Sequence, residues 1–225
     1  MMHGLKIMEH QDFLALKGNA AVIESDLHGE KVLRLTDGRI IKLFRRKHLI
    51  TSASLYPYAR RFADNAEILA LRGVPVPRVI DTRRIPAIKR DMVLYWPLEG
   101  TSLRALNQAG LDAERKIKMK QQFTDFVIYL HSRGIYFRSL HLGNVILTPA
   151  GALGLIDFSD LRTYSRPLPV SLRRRNIRRM LEFADERDWV DSKAIIDSAT
   201  NKSSWGSFLL ESLLRKMQEI GLFRW

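Results

Sequence analysis

Between residues 20 and 44 the chain alternates short apolar runs with polar turns: AAVIES (20–25), EKVLRL (30–35) and RIIKLF (39–44) are separated by DLHG and TDGR. Glycine after a polar turn residue supplies the positive φ of a tight hairpin, so the pattern predicts a three-stranded antiparallel meander. YPYARRFADNAEILALRG (56–73) then places apolar and small residues at helical spacing and stops on Gly73, which predicts a helix over residues 52–71. VPVPRVID (74–81) reads as extended because Pro75 and Pro77 forbid helix, and DMVLYWPLEG (91–100) reads as a further strand leaving into a turn.

Beyond Gly100 the texture becomes helical. Residues 112–132 carry Ile117, Phe123, Phe126, Val127 and Leu130 as one apolar stripe of a long helix. NVILT (144–148) and LGLID (153–157) flank Pro149-Ala150-Gly151 and predict a hairpin. RRRNIRRMLEFADE (173–186) and SSWGSFLLESLLRKMQEI (203–220) are the clearest remaining helices. The latter puts Phe208, Leu209, Leu213, Met217 and Ile220 on a broad apolar face, read as closing a core in preference to anchoring on a membrane. The chain thus reads as α+β, with a strand-rich part over residues 1–96, a helix-rich part over 97–225 and a cleft expected where they join.

Composition narrows the setting. No apolar run approaches the roughly 18 residues of a membrane span, and MMHGLKIMEHQDF lacks the apolar core of a signal peptide, so a cytoplasmic address is expected. The absence of cysteine excludes disulfides and cysteine-ligated metals. A net charge of +13, from 37 Lys and Arg against 24 Asp and Glu, implies attraction to polyanions without choosing among them. The basic residues gather in RRKH (45–48), at Arg60 and Arg61, at Arg83 and Arg84, at Lys116, Lys118 and Lys120, and in RRRNIRR (173–179). In a helix, Arg174 with Arg178 and Arg175 with Arg179 align at i, i+4, a face suited to phosphates. The basic segments lack the interleaved aromatics that stack on bases, which argues against nucleic acid as the partner.

Four residues fall in an order with a chemical logic. Lys42 lies on the third strand of the meander, Glu67 on the helix that follows, Asn144 in a loop after the long helix, and Asp157 at the end of a short strand. A strand lysine beside a cleft can neutralise nucleotide phosphates, and a glutamate behind it can hold its ammonium. An Asn and an Asp on neighbouring loops offer hard oxygen ligands to Mg²⁺, which takes one or two carboxylates plus phosphate and water. The plain alternatives are a surface lysine, an exposed helix charge and a loop-capping amide. Asp157 has the weakest alternative, since an Asp after Gly-Leu-Ile is costly to bury without a partner.

In this order the residues resemble those of protein-kinase-like phosphotransferases, and most closely the bacterial lipopolysaccharide kinases that phosphorylate Kdo or core heptose. RIIKLF resembles the strand of the phosphate-binding lysine, and EILALRGVPVPRV (67–79) the helix glutamate followed by Gly-Val-Pro-Val-Pro. SLHLGNVIL (139–147) resembles the catalytic loop Asp-Leu-His-x-x-Asn, and LIDFSD (155–160) the metal-binding Asp-Phe-Gly. The resemblance implies a two-lobed fold and the use of ATP and Mg²⁺. Lys42 would contact the phosphates and pair with Glu67, while Asn144 and Asp157 would hold the metal. The backbone around Tyr95 and Trp96 would receive the adenine, and the turn at Gly29 would cover the phosphates. The acceptor would be a sugar hydroxyl of an anionic glycolipid, reached from the inner-membrane face.

The pattern departs from that family at the catalytic position. Ser139 stands where the family has the aspartate that aims the acceptor hydroxyl, and Phe137 stands where it has histidine. Ser159 replaces the glycine of Asp-Phe-Gly, and the phosphate-covering turn has one glycine, Gly29, in place of three. His141 is a candidate replacement base because histidine titrates near neutrality, and Asp160, three after Asp157, reads as a solvated loop carboxylate in preference to one turned inward. A pseudokinase that keeps the fold without the transfer is therefore the alternative reading.

Overall fold

The computed structural model describes residues 5–46 and 56–199. Its strands are β1 (Lys6–Ile7), β2 (Ala21–Asp26), β3 (Gly29–Arg34), β4 (Ile40–Arg45), β5 (Arg78–Ile85), β6 (Arg90–Trp96), β7 (Thr101–Ser102), β8 (Ile135–Tyr136), β9 (Val145–Leu147), β10 (Leu153–Leu155) and β11 (Arg162–Thr163). The helices are α1 (His10–Lys17), α2 (Tyr58–Leu71), α3 (Leu103–Gln108), α4 (Ala113–Ser132), α5 (Val170–Met180) and α6 (Ser192–Asp197), joined by short 3-10 turns. The chain divides into two compact units. One holds the described residues up to Lys116 together with Phe137–Arg162, and the other holds Ile117–Tyr136 and the described residues from Thr163 onward.

The first unit is built on a six-stranded sheet of order β1-β5-β6-β4-β3-β2. The expected meander is present: β2 pairs antiparallel with β3, and β3 with β4. Its turns form through aspartates that bond their own backbone two residues on. Asp26 Oδ1 accepts from the His28 N–H at 2.7 Å, and Asp37 Oδ1 from the Arg39 N–H at 3.0 Å. Because side chains alternate across a strand, Ile41 and Leu43 of β4 face one side and Lys42 and Phe44 the other. The first side forms a core of Phe13, Leu33, Leu35, Ile41, Leu43, Ile85, Met92 and Leu94. Phe13 comes from α1, an element that the sequence reading missed.

The second side of the sheet meets α2. This helix buries Ala59, Phe62, Asn65, Ala66 and Leu69, the i, i+3, i+4, i+7 set of one face. It ends as expected at Gly73, whose φ of 76° only glycine adopts readily, with the Val74 N–H returning to the Leu69 carbonyl. Downstream, β9 and β10 form the predicted antiparallel hairpin. The Gly-Val-Pro-Val-Pro segment docks on that hairpin, with the Leu155 N–H donating to the Pro75 carbonyl at 2.9 Å. Gly154 makes the approach possible, since a Cβ there would lie 2.5 Å from the same oxygen.

In the second unit α4 buries Met119, Phe123, Thr124, Val127, Leu130 and His131. Ile117, expected on this stripe, is 69% exposed. It shares the phase of buried Thr124 and His131, but none of residues 113–118 is buried, so the covered part of the helix begins only at Met119. In α5 the expected arginine face is present at Arg174, Arg175 and Arg178, all exposed, while Arg179 pairs with Glu182 at 2.9 Å. Arg173 belongs to the interior instead, donating to the Leu168 and Ile195 carbonyls and to Ser198 Oγ. The apolar helix expected over 203–220 lies outside the described residues, as do Lys47 and His48 of the first basic cluster. Among the described residues no helix is long and apolar enough to cross a membrane.

His131 is buried, and its Nε2 meets Asn176 Oδ1 at 2.9 Å. Burial, reinforced by the nearby Arg173 charge, pushes its pKa down to about 4. The unfolded chain therefore takes up a proton near pH 6.5 that the folded chain refuses until about pH 4. Above pH 6.5 this group leaves stability flat. Below it, stability falls by about 1.4 kcal/mol per pH unit until the folded pKa is reached. Urea unfolding of wild type and His131→Gln across this window should show the slope in wild type and its loss in the variant.

Candidate active site

The residues that the sequence singles out lie in the first unit. Lys42 sits mid-strand in β4, opposite Val32 of β3 and Val93 of β6. Its side chain is 13% exposed, and its ammonium bonds Asp157 Oδ1 at 2.5 Å. The expected pair with Glu67 does not form: among the described residues Lys42 is matched by Asp157, and Glu67 is exposed on α2. The reason is helical phase. Asn65 lies on the buried face of α2, and a step of two residues turns the side chain by about 200°.

Asn65 is the functional neighbour that the sequence reading missed. Its amide nitrogen donates to the Phe158 carbonyl at 2.8 Å and to the Leu161 carbonyl at 3.4 Å. One turn back on α2, Phe62 stacks on Phe158 with ring centroids 4.6 Å apart and lies 5.3 Å from the Tyr95 ring. The segment that carries Asp157 is thus clamped from both sides of its phenylalanine. Asp157 itself has φ 54°, a left-handed conformation uncommon for residues with a side chain. Such backbone strain concentrates at binding sites.

Asn144 is brought beside this segment by the hairpin. Its carbonyl accepts from the Ile156 N–H at 3.0 Å, closing the open end of β9 and β10 with Asp157 next in line. Its amide nitrogen donates to the Ser139 carbonyl at 2.9 Å, which leaves the amide oxygen as a potential ligand. Asn144 and Asp157 offer hard oxygen donors of the kind Mg²⁺ takes, short of a full set, as expected for an ion that completes its shell with phosphate and water. Among the described residues there is no cluster of three His, Asp or Glu that could hold a metal unaided.

The catalytic-like loop is fixed by buried Phe137, Leu140 and Leu142. His141 Nδ1 accepts from the Gly143 N–H and faces Arg104 Nη2, both at 3.1 Å. That nitrogen is occupied within the loop, which disfavours His141 as the replacement base. Asp160, expected in solvent, turns inward instead. Ser139 Oγ donates to its Oδ2 at 2.6 Å, while its Oδ1 is buried without a partner. Burial pushes the Asp160 carboxyl upward, against the Ser139 bond, which lowers it.

Tyr95 and Trp96 are half-buried at the end of β6. Burial, and then the Asp157 charge, pushes the Tyr95 hydroxyl well above its ordinary range. Gly29 opens β3 at φ 105° with open space where a side chain would stand. The turn before it is held by Arg90, which donates to the His28 carbonyl at 2.6 Å.

Comparison with known proteins finds partial, distant similarity to protein kinases. It is 29% identical over 129 residues to CBL-interacting protein kinase 9 of Oryza sativa subsp. japonica, across 56% of this chain and 27% of that protein. It is 31% identical over 102 residues to CBL-interacting serine/threonine-protein kinase 17 of Arabidopsis thaliana, across 43% of this chain and 23% of that protein. The chain therefore spans about a quarter of the length of these relatives. No family model matches it. The resemblance to protein kinases is general, and bacterial lipopolysaccharide kinases are not among the relatives found.

Asn65→Leu keeps the shape of the α2 face and removes the donor to two carbonyls. The Phe158 carbonyl keeps the Leu161 N–H, so the expected cost is that of the lost hydrogen bonds, about 0.5–1.5 kcal/mol in urea unfolding. Amide exchange should rise at residues 157–161 if Asn65 is what holds them; unchanged protection there would refute the clamp.

Proposed function

We propose that this chain is a kinase-like phosphotransferase that binds ATP with Mg²⁺ and transfers the terminal phosphate to a hydroxyl. The observation that carries the reading is the Lys42–Asp157 pair, set beside Asn144 by the closed end of the hairpin. Lys42 would release Asp157 to meet the phosphates, and Asp157 with the amide oxygen of Asn144 would hold the metal. The ion would supply charge neutralisation to the phosphates. Tyr95 and Trp96 would border the nucleoside, and the Gly29 turn would cover the phosphates with fewer backbone donors than a three-glycine loop. Phosphoryl transfer depends mostly on positioning and electrostatics, so a weakened catalytic loop slows it without forbidding it.

For the acceptor, the reading is a sugar hydroxyl of lipopolysaccharide core or a related phosphorylated glycolipid. It is supported by the net charge of +13, which suits an anionic inner-membrane face, and by the motif resemblance in the sequence. The fold would then be two-lobed, with a lobe over residues 1–96 carrying Lys42 and one over 97–225 carrying the two loops. Ser139 favours one rival reading, a pseudokinase that binds nucleotide and regulates cell-envelope assembly.

Ligand binding raises the unfolding midpoint, so MgATP is expected to stabilise wild type, and Lys42→Met or Asp157→Asn to weaken that shift by at least about tenfold in apparent Kd. Radiolabelled ATP with core oligosaccharide then tests transfer. A midpoint shift without transfer would favour the pseudokinase, and no shift at about 5 mM MgATP would end the nucleotide reading altogether.

A further inference from the structure

Ser139 and Asp160 are 21 positions apart, yet their side chains make one of the shortest hydrogen bonds of the first unit, 2.6 Å from Oγ to Oδ2. A serine hydroxyl has one proton and two lone pairs. With its proton committed to Asp160, Ser139 can offer an incoming group only lone pairs. That is the service an aspartate gives at this loop position: to accept a hydrogen bond from a hydroxyl and aim it.

Resting on the phosphotransferase reading above, we infer that Ser139 and Asp160 together replace the catalytic aspartate, Ser139 touching the acceptor hydroxyl and Asp160 acting through it as the positioning residue. The geometry favours a built pair over a chance contact. Ser139 is fixed through its carbonyl by Asn144, at 2.9 Å. Asp160 is fixed by the turn that Asn65 holds at Phe158 and Leu161. Its second oxygen, Oδ1, is buried without a hydrogen-bond partner. Among the described residues, the carboxylate thus makes its one side-chain hydrogen bond to Ser139.

In the transfer step the acceptor oxygen forms its bond to the terminal phosphorus as the bond from that phosphorus to the bridging oxygen breaks. The electron pair leaves with the nucleoside diphosphate. The acceptor proton passes to Ser139 Oγ while the Ser139 proton passes to Asp160 Oδ2, and Asp160 afterwards returns it to water. No other reactant is needed.

Hydrolysis of MgATP tests this without knowledge of the natural acceptor, because water then supplies the hydroxyl. Asp160→Asn is isosteric but gives Ser139 an amide that can donate. It is expected to lower kcat by about 10²- to 10⁴-fold, the worth of a positioned base, with KM for MgATP altered by less than about threefold. Ser139→Ala should lose as much. Ser139→Asp in the Asp160→Asn background should recover turnover, because the carboxylate then stands on the loop itself. The midpoint shift with MgADP should persist in every variant, which shows that fold and nucleotide site survive. Wild-type turnover in Asp160→Asn overturns the pair, and so does nucleotide binding by wild type with no hydrolysis. Absence of any nucleotide-induced shift in wild type overturns the phosphotransferase reading itself, and the pair with it.

Discussion

The stack of Phe62 on Phe158 is the contact on which the candidate site depends. Phe62 belongs to α2 and touches the sheet through Tyr95 and Phe44, while Phe158 directly follows Asp157. Both phenylalanines are almost fully buried, and aromatic pairs of this geometry add about 0.5–1.5 kcal/mol beyond the area they bury. Asn65 adds direction to that adhesion by bonding the Phe158 carbonyl. A fixed Phe158 on one side and the Ile156 N–H on the Asn144 carbonyl on the other hold the backbone of Asp157 between them, with its carboxylate at Lys42.

The sheet supplies the other half of the arrangement through a simple division of faces. One face of β4 gives Ile41 and Leu43 to the core that α1 helps to cover, and the other gives Lys42 and Phe44. A lysine can stand mid-sheet because its ammonium reaches a carboxylate while its aliphatic stem stays covered. The same strand therefore fixes the core and presents the charge, and a register slip of one residue would exchange the two roles.

Much of this was legible in sequence where periodicity or turn chemistry decided the outcome. The meander, the α2 stop at Gly73, the hairpin around Gly151 and the strand position of Lys42 all follow from alternation and from glycine placement. The Glu67 pairing went astray although its remedy was in the pattern: Ala59, Phe62, Ala66 and Leu69 define the inner face of α2, and Glu67 is off it. Asn65 is on that face, but a polar residue in an apolar row does not say which carbonyls it will meet. For Asp160 the sequence allowed both directions and favoured solvent, because its loop is shaped by tertiary contacts, as the positive φ at Asp157 shows, and local propensity does not announce them. The resemblance to kinases is shared by the relatives found, whereas the acceptor has no counterpart in them.

Stability does not account for the Lys42–Asp157 pair. With Asp157 about half exposed, such an ion pair contributes on the order of 0–1 kcal/mol, and the left-handed backbone beneath it costs about 1–2 kcal/mol. A glycine at position 157 would suit the backbone better, and a neutral residue at position 42 would need no partner. In the function proposed above the arrangement would serve as a resting state, in which two opposite charges hold each other until a ligand with both phosphate and metal offers each a stronger partner. By the same logic the Ser139–Asp160 bond would be a resting contact under that proposal, one that leaves lone pairs of Ser139 to accept from an incoming hydroxyl.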